Sequence, residues 1–301
     1  MSGSPLTTPT QMAVVGLGAL GLPMAINLLR AGHHLRVHTR SRSAEDHPDL
    51  QGAVRCATPA EAAQSCQTLL ICVSDDAAVD EVLWGAQGAG PALEAGSLVI
   101  DCSTISPAGA QAMAQRLNAR GVQFMDAPVT GGTEGAKAGT LTVLCGGEAD
   151  DLERARPLLE VIGGSIHHFG PVGAGQQVKA INQVLVAGSY AAVAEAIALG
   201  QHLQLPMDQV VNALKHGAAG SWALEHRSAA MLADDYPLGF KLELHHKDLG
   251  IALEAAAAAS LELPITAAVR AQEQSLMDQG LGEADVSALR RRLPQPNATD
   301  S

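Results

Sequence analysis

Aromatic side chains are scarce in this sequence, at 2% of its 301 residues. Proteins that hold single-stranded nucleic acid stack the bases on aromatic rings, so the composition disfavours that class of protein. Positive charge is also in short supply: 19 Lys and Arg stand against 31 Asp and Glu, which gives a formal net charge of -12. That balance argues against binding to nucleic acid or to an anionic membrane through bulk electrostatics. We therefore expect no nucleic-acid partner and no membrane partner.

Cysteine is rare too, and the five cysteines include no CxxC pair. No disulfide framework is predicted, which fits a cytoplasmic location. The opening residues, MSGSPLTTPT, lack a basic segment followed by an apolar one, so no signal peptide is predicted. The Ala-rich run after Leu253 is interrupted by Glu254 and Glu262 and is not a membrane span.

Short apolar or β-branched runs alternate with helical patterns in the first part of the chain. The runs that predict strands lie at 12–16, 34–40, 68–73, 97–103, 122–129 and 140–147. The helical pattern after the first run ends at Gly32, a natural C-cap. Such alternation predicts an α/β domain with a doubly wound, mostly parallel sheet and helices on both faces.

The pattern changes after about residue 172. From about 175 to 293 the sequence shows only Ala- and Leu-rich helical patterns, which predict an all-α domain. The expected organisation is a disordered N-terminus (1–10), an α/β domain (11–172), a helical domain (173–293) and a disordered tail (294–301).

A glycine-rich turn follows the first predicted strand and opens a helix. Its spacing is Gly16-x-Gly18-x-x-Gly21. In that context the glycines give a tight turn, room for a pyrophosphate and close helix packing, with the anion at the helix N-terminus. A plain Gly-rich turn is the alternative. The predicted cofactor-binding residues of this turn are Gly16, Leu17, Gly18, Ala19, Leu20 and Gly21.

The second strand ends in HTRSRS, where an NAD-binding enzyme usually has Asp or Glu. Guanidinium and hydroxyl groups donate hydrogen bonds to the 2′-phosphate of NADP, whereas a carboxylate would repel that phosphate. We therefore predict NADP rather than NAD, bound by Thr39, Arg40 and Ser41 with Arg40 as the main contact. The alternative is that Arg40 and Arg42 are solvated surface residues.

Lys179 is the only Asp, Glu, Lys or Arg between Glu160 and Glu195. A desolvated lysine can give a proton to the alkoxide that forms when an aldehyde is reduced, and its charge stabilises that oxygen. Asn182 and Gln183 share its helix face and could orient the lysine or the substrate. A lysine that extends its ammonium to solvent, with no catalytic role, is the alternative.

The segment PVTGGTEGAKAGT carries Thr130, Gly131 and Gly132 just after a predicted strand. Exposed N–H groups in such a turn form an anion-binding concavity that suits a substrate carboxylate. A purely structural loop is the alternative. Three adjacent His pairs, at 33–34, 167–168 and 245–246, lack the spacing of metal ligands, so no metal site is predicted.

Four ordered motifs resemble the β-hydroxyacid dehydrogenase family: GLGALGLPMAINLL, DAPVTGGTEGAKAGTL, GAGQQVKAINQ and KDLGIALEAA. The resemblance spans about residues 12 to 290. It implies a Rossmann domain, a helical domain through which homodimers or homotetramers form, and reversible oxidation of a short hydroxy acid. The expected substrate is a small carboxylated aldehyde or its hydroxy acid, of the tartronate semialdehyde or 3-hydroxyisobutyrate type.

The resemblance also assigns roles to single residues. Lys179 matches the family's catalytic lysine, and 130–132 match the segment that holds the substrate carboxylate. Val73, Ser74 and Thr104 match cofactor contacts of the family. Lys247 matches a lysine that lies near nicotinamide and substrate, so it is also expected at the cofactor. The family usually has Lys-x-x-Asn-Asn, whereas this chain has Gln183 as the last residue of that motif.

Two other functions fit parts of the sequence. An imine reductase would share the architecture, but such relatives generally replace the lysine found here as Lys179. A non-catalytic NADPH-binding module would have no need for a lysine at that position. The sequence therefore favours an NADP(H)-dependent reductase over both.

Overall fold

The computed structural model describes residues 10–295 and divides into two compact units, Met1–Lys179 and Ala180–Ser301. The first unit is α/β and the second is helical. The segments expected to be disordered, 1–10 and 294–301, lie outside the described residues except for Thr10, Pro294 and Gln295.

A parallel six-stranded sheet forms the centre of the first unit, in the order β3-β2-β1-β4-β5-β6. This is the strand order of a dinucleotide-binding fold, whose ligand crevice lies where the order reverses, between β1 and β4. All strands but β3 overlap predicted runs; β3 is too short for its period to be visible. The strands are β1 (Gln11–Val15), β2 (His34–His38), β3 (Val54–Arg55), β4 (Thr68–Ile71), β5 (Leu98–Asp101) and β6 (Gln123–Asp126).

Helices cover both faces of this sheet, and successive residues of β1 point into separate cores. Met12 and Val14 belong to one buried cluster, whereas Ala13 and Val15 belong to the other. The predicted doubly wound fold is confirmed. The helices of this unit are α1 (Gly21–Arg30), α2 (Pro59–Ala63), α3 (Asp76–Trp84), α4 (Pro107–Asn118), α5 (Gly132–Ala138) and α6 (Ala149–Ile162), with 3-10 turns at Ser43–Asp46, Pro48–Leu50 and Gly90–Ala92.

Helix α1 ends in the way its glycine predicts. Gly32 has a φ of +95°, and its N–H donates to the carbonyl of Leu29 while His33 N–H donates to that of Leu28. These two bonds form a Schellman motif, which satisfies carbonyls that the end of a helix leaves unpaired. The chain then turns directly into β2, so the spacing between the glycine turn and the end of β2 is fixed locally.

The predicted strand at 140–147 does not join the central sheet. It forms β8 (Leu141–Cys145) of a separate sheet, antiparallel to β7 (Val129–Thr130) and parallel to β9 (Gly163–His168). The sequence did not predict β7, which has two residues, or β9, whose glycines and histidines have weak β-propensity. This small sheet supports the segment that carries Thr130.

The second unit is helical throughout its described residues, with no strand beyond an isolated bridge between Lys241 and Asp285. Its core includes Tyr190, Ile197 and Leu249. The helices are α7 (Ala174–His202), which starts in the first unit, α8 (Met207–Leu214), α9 (Trp222–Ala233), α10 (Leu242–Ala258) and α11 (Pro264–Met277), followed by a 3-10 helix at Val286–Arg292.

Helix α7 is the one described helix long and apolar enough to cross a membrane, by length and composition alone. The core helix of a soluble protein passes the same test, and 44% of its most apolar window is buried here. Its exposed side is nevertheless apolar: Ile181 and Leu185 are 61% and 69% exposed, and Leu199 is 62% exposed. Helix α8 has no buried residue at all.

Candidate active site

The glycine turn after β1 has no room for a side chain at two of its glycines. A Cβ on Gly16 would lie 2.2 Å from the carbonyl oxygen of Cys72, and one on Gly21 would lie 1.9 Å from the carbonyl oxygen of Gly16. A Cβ on Gly18 would meet no heavy atom within 4 Å. The turn is therefore packed against the end of β4 and open at its middle glycine, as a dinucleotide pyrophosphate requires.

Helix α1 begins at Gly21 without a capping side chain and without an acidic residue in its first turn. The first N–H groups of a helix lack intrahelical partners and carry the positive end of its dipole, so such a start favours an anion. Gly18 and Ala19 are exposed beside it, whereas Leu17 is buried in the core. The residues present thus fit the phosphates of a dinucleotide.

The end of β2 holds a carboxylate that the sequence pattern did not reveal. Glu45, 2% exposed, accepts the backbone N–H of Thr39 at 2.9 Å and pairs with the guanidinium of Arg42 at 3.1 Å. Arg40 and Ser41 are exposed. Of the two arginines in this segment, Arg42 is occupied and Arg40 is available to a ligand.

The segments after β4 and β5 are joined by one side chain. The hydroxyl of Ser103 accepts the backbone N–H of Val73 at 2.9 Å, and Ser103 N–H donates to Oδ1 of Asp101. Ser74 donates its hydroxyl to the adjacent Asp75, which caps α3. Thr104, the residue after Ser103, is half-buried. The expected cofactor contacts Val73 and Thr104 are therefore held in one local network.

The segment Thr130–Gly132 leaves β7 through two glycines with positive φ, +130° at Gly131 and +65° at Gly132. Thr130 pairs with Thr142 of β8, and Gly131 is exposed. Residues with a side chain rarely adopt these backbone angles. The two glycines therefore allow a turn that presents successive N–H groups. That geometry suits an anion, as the motif predicts.

The helix that carries Lys179 is fixed at its start by a carboxylate from β6. Asp126, fully buried, accepts the N–H of Gly173 on Oδ1 at 2.7 Å and the N–H of Gln176 on Oδ2 at 2.9 Å. These donors lie at the N-terminus of α7, where the dipole favours negative charge. Burial raises the pKa of Asp126, and the hydrogen bonds from Gly173 and Gln176 lower it. Lys179 itself is buried, one turn after Gln176.

The remaining predicted residues form a cluster in the second unit. Gln183 donates from Nε2 to Oδ2 of Asp248 at 2.7 Å and accepts from Nδ2 of Asn182 at 2.7 Å. Lys247 Nζ lies 2.8 Å from the other oxygen of Asp248. Gln183 and Asp248 are both buried, at 1% and 3% exposure. The family's usual Asn is thus replaced by an amide long enough to reach the carboxylate of α10.

Two titratable groups lie under the cofactor segments, the fully buried Asp101 and the half-buried Cys72. Burial raises the pKa of Asp101 to about 7, and the hydrogen bonds from Ser103 oppose that shift. Burial likewise raises the pKa of the Cys72 thiol to about 12, so it is not a thiolate nucleophile at neutral pH. In the part of the chain that the structure describes, no group of three His, Cys, Asp or Glu residues is arranged to hold a metal.

Within the first unit, hydrogen bonds link Val73, the Ser103–Ile105 segment and the start of the Lys179 helix, and the glycine turn packs against Cys72 and Val73. Gln176 completes these links, because its side chain binds the backbone at Ser103 and at Ile105. Sequence reasoning did not single out Asp126, Gln176, Glu45 or Asp248. Gln176 carried a usable signal, since it stands three residues before Lys179 on the same helix face.

Two family models match consecutive parts of the chain. The model for the NAD binding domain of 6-phosphogluconate dehydrogenase matches residues 11–170. The model described as NAD-binding of NADP-dependent 3-hydroxyisobutyrate dehydrogenase matches residues 173–293. Together they show an NAD(P)-binding oxidoreductase.

Curated relatives and solved structures resemble the chain over nearly all of its length. It is 37% identical over 288 residues to an NAD-dependent L-serine dehydrogenase of Pseudomonas aeruginosa, with 93% of this chain and 97% of the relative covered. It is 38% identical over 283 residues to a 2-hydroxy-3-oxopropionate reductase of Escherichia coli, covering 94% and 97%. A 3-hydroxyisobutyrate dehydrogenase structure from Salmonella typhimurium is 31% identical, with a TM-score of 0.87 and coverage of 94% and 100%. These relatives differ in substrate.

Proposed function

The chain belongs to the β-hydroxyacid dehydrogenase family, and on that premise we propose that it interconverts a small carboxylated semialdehyde and its β-hydroxy acid with NADP(H). It is an NAD(P)-dependent enzyme that acts on the CH–OH group of a short hydroxy acid. Tartronate semialdehyde and methylmalonate semialdehyde represent the proposed substrate class. The observation that carries the proposal is the glycine turn, closed at Gly16 and Gly21 and open at Gly18. It packs against Val73, which is hydrogen-bonded to Ser103, and Gln176 of the Lys179 helix binds the carbonyl of Ser103.

The glycine turn and the start of α1 would hold the pyrophosphate through backbone N–H groups. Val73, Ser74 and Thr104 would contact the rest of the cofactor, and Lys247 would add a cation near it. When bound, the nicotinamide supplies hydride to the carbonyl carbon or takes it back. The residues of this chain have to bind the substrate, exclude water and handle one proton.

Lys179 is the proposed proton donor. As the carbonyl carbon receives hydride, the C–O double bond becomes a single bond and its electron pair moves to oxygen. An ammonium at Lys179 gives its proton to that oxygen, which leaves a neutral amine and a hydroxy acid; oxidation runs the same step in reverse. Because Lys179 is buried, its charge acts on the developing alkoxide with little screening by water.

The turn at 130–132 is the proposed site for the substrate carboxylate. Gly131 and Gly132 can present N–H groups without a side chain in the way, and Thr130 adds a hydroxyl. Asn182 could reach the substrate from the next turn of α7. Gln183 supports Asn182 by accepting its amide hydrogen bond.

Arg40 is the basis for proposing NADP. Its guanidinium is exposed beyond the end of β2, whereas Glu45 is buried there and paired with Arg42. A free guanidinium can bind a 2′-phosphate through charge-assisted hydrogen bonds. The paired carboxylate of Glu45 repels such a phosphate less than an unpaired one would.

We further propose that the enzyme forms homodimers or homotetramers through its helical unit and works in the cytoplasm. The apolar stripe of α7, with Ile181, Leu185 and Leu199 exposed, is the kind of surface that a second copy of the chain would cover. All five cysteines are free, which fits a reducing compartment. Light scattering of Leu185→Glu against the wild type tests the interface.

Oxidation of NADPH and of NADH with a panel of C3 and C4 semialdehydes tests the function. We expect turnover with NADPH and a loss of kcat of about 10²- to 10⁴-fold in Lys179→Ala, the range typical of general acid catalysis. Lys215→Ala, on a residue between α8 and α9, is the control. Wild-type activity in Lys179→Ala would overturn the mechanism. Turnover of imines instead, or cofactor binding without any turnover, would favour the two other functions that the sequence allowed.

A further inference from the structure

We propose that Gln176 is a positioning residue: it holds the backbone on both sides of Thr104 and so sets that cofactor segment relative to Lys179. The inference rests on the roles proposed above for Thr104 and Lys179. It assigns a task to a side chain that touches neither reacting group. The hydrogen bonds on which it rests, to Asp126, Ser103 and Ile105, lie within the first unit.

The side chain of Gln176 binds two successive peptide groups that flank one residue. Its Nε2 donates to the carbonyl of Ser103 at 2.8 Å, and its Oε1 accepts the N–H of Ile105 at 3.2 Å. Gln176 is 1% exposed, and Ser103 and Ile105 are also buried. Thr104 therefore lies between two anchored peptide groups, and its position depends on Gln176.

The backbone of Gln176 is fixed as firmly as its side chain. Its N–H donates to the buried carboxylate of Asp126, which also holds Gly173. Lys179 follows three residues later in the same helix, about one turn and 4.5 Å along the axis. Gln176 thus joins the helix that carries the proton donor to the segment that carries a proposed cofactor contact.

The same network extends to the next cofactor segment. Ser103, whose carbonyl Gln176 holds, accepts the N–H of Val73 on its hydroxyl. Loss of the Gln176 bonds would leave the Ser103 carbonyl without its partner, and a shift of Ser103 would disturb Val73 as well as Thr104. Hydride and proton transfer both depend on distances to one substrate carbon and its oxygen, so small shifts here affect the chemical step.

Only an amide satisfies both partners. A glutamate could accept from Ile105 N–H but could not donate to the Ser103 carbonyl, and a methionine of similar length could do neither. Gln176→Met leaves two buried backbone groups without a partner, whereas Gln176→Glu leaves one. The exposed neighbour Gln177 offers a matched control, because Gln177→Met makes the same change on the same helix.

The experiment measures kcat, KM and the primary deuterium isotope effect on kcat, with a hydroxy acid deuterated at the carbon that is oxidised. We expect kcat to fall on the order of 10- to 100-fold in Gln176→Met, as small misplacements in an active site do. The isotope effect should rise, because hydride transfer becomes rate-limiting. Gln176→Glu should lie between Gln176→Met and the wild type, and Gln177→Met should match the wild type. Cofactor affinity, from fluorescence titration, should fall less than kcat in every variant, since the phosphate-binding turn is untouched although Thr104 and Val73 shift.

Equal kcat and equal isotope effects in Gln176→Met and Gln177→Met would overturn the inference. A loss of kcat that follows only a lower melting temperature, with an unchanged isotope effect at a temperature where the variant is folded, would overturn it too. The measurement uses whichever hydroxy acid the wild type oxidises and whichever cofactor it prefers. Failure of the proposed substrate or of NADP is therefore seen in the wild type, separately from failure of the role of Gln176.

Discussion

Gln183 binds Asp248: the amide Nε2 of Gln183 donates a hydrogen bond of 2.7 Å to the carboxylate, and both side chains are buried. The contact joins α7 to α10 inside the helical unit. It uses the extra methylene by which this chain departs from the family's usual Asn. The amide is thus committed to a neighbouring carboxylate, which also pairs with Lys247.

Gln183→Asn should shorten the side chain beyond the reach of Asp248. A buried acceptor left without its donor costs about 1–3 kcal/mol, so the free energy of unfolding should fall by that amount. Asp248 also pairs with Lys247, which is a proposed cofactor contact. A shift of Asp248 should therefore displace Lys247, and KM for the cofactor should rise more than kcat falls. Urea denaturation and steady-state kinetics measure the two effects.

Gln177→Asn is the control for that change, because it shortens an exposed amide on the same helix. It should leave both the unfolding free energy and KM near their wild-type values. If Gln183→Asn behaved like Gln177→Asn, the hydrogen bond to Asp248 would contribute nothing to the unfolding free energy or to KM. A direct contact of residue 183 with the substrate would then be the better explanation of its role.

Alanine substitutions at two glycines of the turn should affect different properties, stability at Gly21 and cofactor binding at Gly18. In Gly21→Ala the new methyl meets the carbonyl of Gly16, so we expect a less stable fold, by about 1–3 kcal/mol for an overpacked site. In Gly18→Ala the methyl enters open space, so the fold should persist while NADPH binding weakens on the order of 10-fold or more because the pyrophosphate needs that space. Thermal melts and cofactor titration separate the two. Normal NADPH affinity in Gly18→Ala would place the pyrophosphate elsewhere.

Arg40→Ala should affect NADPH and spare NADH. Removing a charge-assisted bond to the 2′-phosphate costs about 1.5–3 kcal/mol, so KM for NADPH should rise on the order of 10- to 100-fold. KM for NADH, which lacks that phosphate, serves as the internal control and should stay unchanged. A wild-type enzyme that prefers NADH would contradict the assignment of Arg40.

Asp101 should make stability depend on pH in the direction opposite to that of an ordinary paired carboxylate. Burial raises its pKa in the folded protein to about 7, above the value of 3.8 that an Asp side chain has in water. The folded state therefore binds the extra proton between these values, so this contribution to stability is full below about pH 4 and is lost as pH rises toward 7. Asp101→Asn, which stays neutral, should remove this loss.

Denaturant midpoints at pH 5 and pH 8 measure that effect. The wild type should lose more stability than Asp101→Asn over this interval, and the exposed Asp208→Asn should follow the wild type. An Asp101→Asn variant that loses as much stability as the wild type between the two pH values would show that Asp101 is ionised throughout.

The sequence predicted the sheet because its strands are buried on both faces and their apolar runs are plain to read. It could not place β8 in a separate sheet, since strand pairing depends on contacts across the chain that periodicity does not encode. The strands β3 and β7 escaped prediction because two residues have no visible period.

At the site, the residues predicted from the sequence are those whose chemistry is visible in a local motif. The residues that were missed form hydrogen bonds to backbone groups far away along the chain. Lys179 stands out as an isolated charge. Gln176 and Asp126 bind partners 47 to 73 residues away, and nothing in the local pattern names those partners. Glu45 lies four residues beyond the HTRS segment, where only the 3-10 turn brings its carboxylate back to Thr39.

The boundary between the two compact units falls between Lys179 and Ala180, inside one continuous helix. This restricts how the halves of related enzymes can be recombined. A chimera joined at that boundary would inherit Lys179 from one parent and Asn182 and Gln183 from the other, although all three share a helix face. A crossover at the glycine-rich segment before Ala174 would keep the three together but separate Gln176 from its Asp126, Ser103 and Ile105 partners. Either junction breaks one matched set, so exchanging halves to change substrate should also require exchanging those partners.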